Sequence, residues 1–311
     1  MNISMIRHIS TAAATALCLL AGSAANASTP APYIWSEILV PSIGPLAAAF
    51  GISDNGTVAV SGASTSGTYR NGIFTALRAA AAGTTATALG ANAAGVIVGG
   101  ATSAANPHEQ GFILVGSTYR YFSLPGWDNT EARAISNSGL VTGYSYNDAG
   151  GYAGFVYDPA AGTFTDVTPP GSTFTIAQGI SKSGRVVGNG QSGAPLGRYA
   201  FTSQAVTNVK PSGDRVNFLG RYTVGGGRTN ARGINDDGVT SGFAVVNGLQ
   251  VGYIGNDTRG YRTLVPPGGG VAGFTVACEG INNARQVVCS VLDTTLGVTR
   301  AFIGSPQRDD N

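Results

Sequence analysis

Gly179-Ile180-Ser181-Lys182-Ser183-Gly184 lies between two short apolar runs, and the same pattern recurs along the chain. Its relatives are Gly51-Ile52-Ser53-Asp54-Asn55-Gly56, Gly90-Ala91-Asn92-Ala93-Ala94-Gly95, Ala134-Ile135-Ser136-Asn137-Ser138-Gly139, Gly233-Ile234-Asn235-Asp236-Asp237-Gly238 and Gly280-Ile281-Asn282-Asn283-Ala284-Arg285. Ser or Asn three residues before Gly, with β-branched residues on both sides, is hairpin chemistry. The Ser or Asn side chain holds the turn, and Gly takes a positive φ that Val or Ile could not. The turns come roughly 39 to 54 residues apart, which leaves room for about four short strands per repeat.

Each repeat also carries an aromatic strand opener, as in Gly111-Phe112-Ile113, Gly154-Phe155-Val156, Ala200-Phe201 and Gly252-Tyr253-Ile254. A second strand follows and often ends in a proline turn such as Leu124-Pro125-Gly126 or Pro266-Pro267-Gly268. No window has the period of a long amphipathic helix. The expectation is an all-β domain, a β-propeller of six four-stranded blades. A parallel β-helix, or solenoid, is the alternative, and the tight hairpin in every repeat favours antiparallel blades. Openers stand at both ends, Tyr33-Ile34-Trp35 and Ala301-Phe302-Ile303. That surplus predicts circular closure, with Glu37-Ile38-Leu39-Val40 completing the blade begun by Gly280.

An aromatic opener, a second strand and Ala-x-Gly-Ile-Asn-x-x-Gly-x-Val-Val-Gly together resemble the HAF family of extracellular repeats in bacterial secreted proteins. The resemblance covers Tyr33 to Gly304. Ala91 departs from it in the second repeat, and Arg285 and Cys289 depart in the last. It implies architecture and compartment and adds almost nothing about chemistry.

The 311 residues include 47 Gly and 14 Pro, with 11% charged residues and a formal net charge of +2. An apolar fraction of 43% suffices for a core and argues against disorder. The glycines lack the period of collagen. Scattered Lys and Arg at so small a net charge argue against a nucleic-acid partner. Residues 1–27 read as a secretory signal: Arg7 and His8, an apolar run from Ile9 to Ala21, then Ala25-Asn26-Ala27 before Ser28. Residues 28–311 form the single exported repeat domain, extracellular or periplasmic, with no membrane insertion expected. After cleavage His108 is the one histidine, and Cys278 and Cys289 are the two cysteines. The cysteines lie symmetrically about a hairpin turn, which predicts a disulfide across two neighbouring strands.

Chemistry is sparser. His108, in a segment read as a loop, has no nucleophile elbow to serve. The acids of Asp54-Asn55-Gly56 and Asp236-Asp237-Gly238 are too few for a calcium loop, so no metal is expected. Gly225-Gly226-Gly227-Arg228 and Gly268-Gly269-Gly270 lack the ending of a phosphate loop, and no cofactor is expected. One constellation follows from the repeat itself. The residue before each Gly-Ile or its equivalent is Phe50, Leu89, Arg133, Gln178, Arg232 or Glu279, while the residue before that is Ala in five repeats and Cys278 in the sixth. Repeat symmetry places these six around one axis. Arg133, Gln178, Arg232 and Glu279 are therefore the candidate ligand-binding residues, Arg232 foremost. The expected function is a non-catalytic binding or scaffolding module for a glycan or protein ligand. The alternative is a secreted hydrolase or lactonase using Glu131 and Glu279 near Arg133 and Arg232.

Overall fold

The computed structural model describes residues 32–43, 46–62, 65–78, 80, 83–191, 198–205, 218–222 and 228–307. The expected signal segment and the Gly225–Gly227 run lie outside them. The architecture is all-β and propeller-like. β1 (Tyr33–Glu37) comes first in the chain but pairs with the last strand. A first unit holds β2 (Leu46–Ile52), β3 (Val58–Gly62), β4 (Ser66–Arg70) and β5 (Ile73–Ala76). A second holds β6 (Thr84–Ala91), β7 (Ile97–Ser103), β8 (Asn106–Val115) and β9 (Thr118–Phe122). The third is β10 (Asn129–Ile135), β11 (Val141–Tyr146), β12 (Tyr152–Asp158) and β13 (Thr163–Asp166). The fourth is β14 (Phe174–Ile180), β15 (Arg185–Gln191), β16 (Arg198–Ala205) and β17 (Phe218–Tyr222). The fifth is β18 (Thr229–Ile234), β19 (Thr240–Val246), β20 (Leu249–Asn256) and β21 (Gly260–Leu264). The sixth is β22 (Phe274–Ile281), β23 (Val287–Asp293), β24 (Val298–Pro306) and the returning β1.

Pairing within each unit is antiparallel, and the parallel β-helix alternative is not what forms. The parallel contact among the described strands is one residue pair, Tyr152 with Phe174, where the third unit meets the fourth. Each quoted turn closes as its sequence requires. In the fourth unit the Gly184 N–H donates to Ser181 O at 3.0 Å, and Gly184 has a φ of +81°. The aromatic openers Phe112, Phe155, Phe201 and Tyr253 are fully buried on the third strands, between neighbouring units. They explain why the sheets stack face to face: each unit buries its apolar faces against its neighbours.

The strand that returns to β24 differs by a few residues from the expected one. Tyr33–Glu37, rather than Glu37–Val40, runs along β24, from Tyr33 opposite Pro306 to Glu37 opposite Phe302. Ile38 and Val40 are buried after it, in a cluster with Val58, Val60 and Ala301. The backbone N–H of Ile38 still reaches Ala301 O at 2.8 Å.

Cys278 and Cys289 are directly opposed across β22 and β23 and form a disulfide. The corresponding pairs in units two to five are Ala88 with Gly99, Ala132 with Gly143, Ala177 with Gly188 and Ala231 with Gly242. In the last unit the Ala–Gly pair is thus replaced by a covalent one. The turn beside it has Arg285 at φ +59° where its five relatives have Gly at +74° to +93°. Replacing both cysteines by alanine should lower stability by roughly 2–3 kcal/mol. Denaturant melts of the variant against the oxidised wild type would measure it. An unchanged midpoint would show that the hairpin is already rigid without the bond.

Candidate functional site

The six first strands, β2, β6, β10, β14, β18 and β22, line one central cavity of about 70 Å³. Their glycines permit the approach. A Cβ on Gly179 would stand 2.9 Å from Arg232 O and 3.0 Å from the Gly233 Cα, and one on Gly280 would stand 2.9 Å from the Gly51 Cα. These separations are too short for real side chains, so Gly is a packing requirement at those two positions, whereas β10 carries Ala134 at the equivalent one.

The residue before that position has its own local reason to face the cavity. In units two to six the ladder between first and second strands skips one residue: Leu89, Arg133, Gln178, Arg232 and Glu279 in turn. In the first unit the break spans Phe50 and Gly51. A bulged residue leaves the regular alternation and is re-aimed. The small buried residue before it, Ala49, Ala88, Ala132, Ala177, Ala231 or Cys278, keeps the ordinary register at 0% exposure.

All four candidate residues are brought together in this way, with Phe50 and Leu89 completing the ring. Arg133 Nε donates to Gln178 Oε1 at 2.9 Å, and Arg133 Nη1 donates to Glu131 Oε1 at 3.0 Å. Arg133 Nη2 stands 3.9 Å from Glu279 Oε2, and Arg232 Nε stands 3.5 Å from the same oxygen. The Arg133 guanidinium lies over the Phe50 ring and that of Arg232 over Phe243, each 5.4 Å from the centroid. Both carboxylates of the alternative reading, Glu131 and Glu279, therefore meet at one guanidinium.

The surroundings of the two arginines shift them in opposite directions. Burial works against the charge of Arg133, but Glu131 and Glu279 outweigh it and hold its pKa above the usual arginine value. At Arg232 burial prevails over the attraction of Glu279, Arg133 adds repulsion, and the pKa falls below the usual value. Arg232 Nε sits near Glu279 without hydrogen-bond geometry, and it is buried with no acceptor. Asn230, two residues earlier, is 7% exposed, and its Nδ2 is also buried without an acceptor. Asn230 occupies the register that Glu131 holds in β10, one residue before the small buried one.

A further carboxyl adjoins Glu131. Glu109, on β8, lies across Gly100, where any Cβ would collide with its Oε1. Tyr146 OH donates to Glu109 Oε2 at 3.2 Å. Burial, then the charge of Glu131, pushes the Glu109 carboxyl up to about 7, against opposing contributions from Tyr146 and Arg133. Burial and the same acids raise the Tyr144 phenol and push Tyr146 up to about 12. Glu109, Tyr144, Tyr146 and Asn230 are absent from the sequence-based site. Aligning the repeats one residue further back would have found Asn230. Glu109 carries no such signal, because it reaches the site only over the missing side chain of Gly100. His108 beside it is exposed and lies within β8, not in a loop.

On the other side of the cavity the hairpin turns form a second ring. Asn283 Nδ2 donates to Asp54 Oδ2 and to Asp236 Oδ2, each at 2.8 Å. Asn137 Nδ2 donates to Asp54 Oδ2 at 2.6 Å, and the Lys182 backbone N–H donates to Asp236 Oδ1 at 2.6 Å. Asp54 and Asp236 thus tie turns of different units together.

No family model matches the chain, and no curated protein matches it. Among solved structures it is similar to TolB from Acinetobacter baumannii, at 13% identity and a TM-score of 0.48. That match covers 83% of this chain, which spans 63% of the TolB chain. The PQQ-bound aldose sugar dehydrogenase from Streptomyces coelicolor is similar at 11% identity over 88% of this chain and 99% of that one, with a TM-score of 0.49. XC5397 from Xanthomonas campestris, a gluconolactonase, is similar at 10% identity over 89% and 96%, with a TM-score of 0.49. The likeness is one of fold alone.

Proposed function

We propose that this chain is an exported binding module, a closed six-bladed β-propeller of HAF type that captures a glycan or protein ligand where its first strands converge. Closure is supported by the return of β1 to β24 and by the approach of Gly280 to Gly51. Export is supported by the signal-like segment and by the disulfide, which persists in oxidising compartments. Among the described residues no helix is long and apolar enough to cross a membrane.

The observation that carries the binding reading is the convergence of Arg133, Gln178, Arg232 and Glu279 on one cavity between the first strands. The 70 Å³ cavity is of water size, so a larger ligand would rest on its mouth and send one polar group inward. Arg232→Ala should weaken binding by roughly 1–3 kcal/mol in protein that still folds. Titration calorimetry with a ligand found on a glycan and protein array would measure this. Undiminished affinity in the variant would remove the site.

A hydrolase or lactonase is the second reading, favoured by the meeting of Glu131 and Glu279 at Arg133. Turnover of generic ester, lactone or glycoside substrates that is lost in Glu131→Gln would establish it over pure binding.

A further inference from the structure

We propose that Glu109, Glu131 and the tyrosines Tyr144, Tyr146 and Tyr152 form a subsite for a neutral saccharide beside Arg133, an assignment that rests on the binding reading above. Three properties of the cluster point to that chemistry.

The first is the charge balance. Arg133 and Arg232 face Glu131 and Glu279, so the two cations already have two anions. Glu109 adds a third carboxyl, and among the described residues no further guanidinium is paired with it. An anionic ligand would meet a balanced or negative field, whereas a neutral ligand rich in hydroxyls would not.

The second is the shape and wetness of the wall. Tyr146 and Tyr152 stack at 5.7 Å with planes 20° apart, and Tyr144 lies 5.9 Å from Tyr152 and 6.1 Å from Tyr146. Phe174 extends the row, 4.6 Å from Tyr152. All four are half-buried, unlike the fully buried openers, so the row presents apolar ring surface next to polar groups at the water boundary. Such a surface suits the C–H face of a sugar ring, with hydroxyls at its edge.

The third is the balance of donors and acceptors. The Glu131 and Glu109 carboxyls accept from hydroxyls, while the Arg133 guanidinium and the Tyr146 hydroxyl donate beside them. A hydroxyl both donates and accepts, so one ligand type can satisfy both sets. A purely acidic group would leave the carboxyls opposed, and a purely cationic one would leave the donors empty.

The test is retention of the mature protein on an array of neutral and acidic oligosaccharides, followed by calorimetry on the best neutral one. Glu109→Gln and Tyr146→Phe conserve shape, and Tyr152→Leu conserves bulk while removing the ring. Each variant's melting temperature would be measured alongside. The expected result is retention of neutral saccharides, weakened about fivefold or more by Glu109→Gln and about tenfold by Tyr152→Leu. Two results overturn the subsite but spare the central site: loss of affinity in Arg232→Ala with none in folded Glu109→Gln and Tyr152→Leu, or a preferred ligand that is an acidic sugar or a protein yet still needs Arg232. Neutral-saccharide binding unaffected by any of these variants, Arg232→Ala included, overturns both. Wild-type protein that retains no saccharide overturns the subsite outright.

Discussion

Deletion of residues 300–311 should unfold the entire domain in one transition rather than fray its last unit. The truncation removes most of β24, which is an interior strand: it pairs with β23 on one side and with β1 on the other. Ala301 and Phe302 are buried, and Phe302 packs in the cluster that holds the disulfide. Without β24, β1 has no partner, and the bidentate Glu37–Arg300 pair, at 2.7 and 2.8 Å, is lost. On the closed-ring reading the cost is larger than these contacts. Every unit buries its faces against two neighbours, so opening one junction exposes apolar surface and a free strand edge. The combined loss exceeds about 5 kcal/mol, comparable with the whole stability of an ordinary domain. Circular dichroism melts of the truncated and full mature chains would decide the matter. A truncated protein that melts at the wild-type temperature would show that the units are stable in an open array.

The repeat made this architecture legible because its residues each do one local job. Ser181 and Gly184 close a turn, Phe201 fills the space between sheets, and Gly179 admits the next backbone. The pairing of Cys278 with Cys289 followed from symmetry about the same turn. The ring of Arg133, Gln178, Arg232 and Glu279 was legible for a related reason: equivalent positions must converge wherever first strands do. Repeat spacing does not reveal why these side chains leave the ladder. The bulge is a property of register, set by how the small residue before and the Gly after must both be accommodated. Glu109 shows the other limit. Its role depends on one glycine in a neighbouring strand and on a tyrosine from the next unit, and neither is encoded in the local pattern. The strand paired with β24 fell a few residues from its expected place because Tyr33 and Trp35, which pack over Gly304, fix the register, whereas Ile38 and Val40 are buried after the strand.

Stability should fall as pH rises from about 4.5 to about 7, and Glu109 is the cause. Its carboxyl, ordinarily near 4.5, is raised to about 7 by burial and then by Glu131, with Tyr146 and Arg133 opposing. Below 4.5 the folded and unfolded chains both hold the proton, and Glu109 contributes no difference. Between 4.5 and 7 the folded chain binds the proton more tightly than the unfolded one, so each step up in pH favours unfolding. Above 7 both forms are ionised, and the folded state carries the full cost of a carboxylate held beside Glu131 with little water. That cost is on the order of 2–3 kcal/mol, after allowance for the part of the group that stays exposed. Glu109→Gln should therefore flatten the profile and make the protein more stable than wild type at pH 8 by about that amount, with little change at pH 5. Glu131→Gln should remove part of the repulsion and move the Glu109 transition to lower pH. Chemical denaturation of the wild type and both variants at half-unit steps from pH 4.5 to 8 would trace these curves. A Glu109→Gln profile parallel to the wild type would place the proton elsewhere in the cluster.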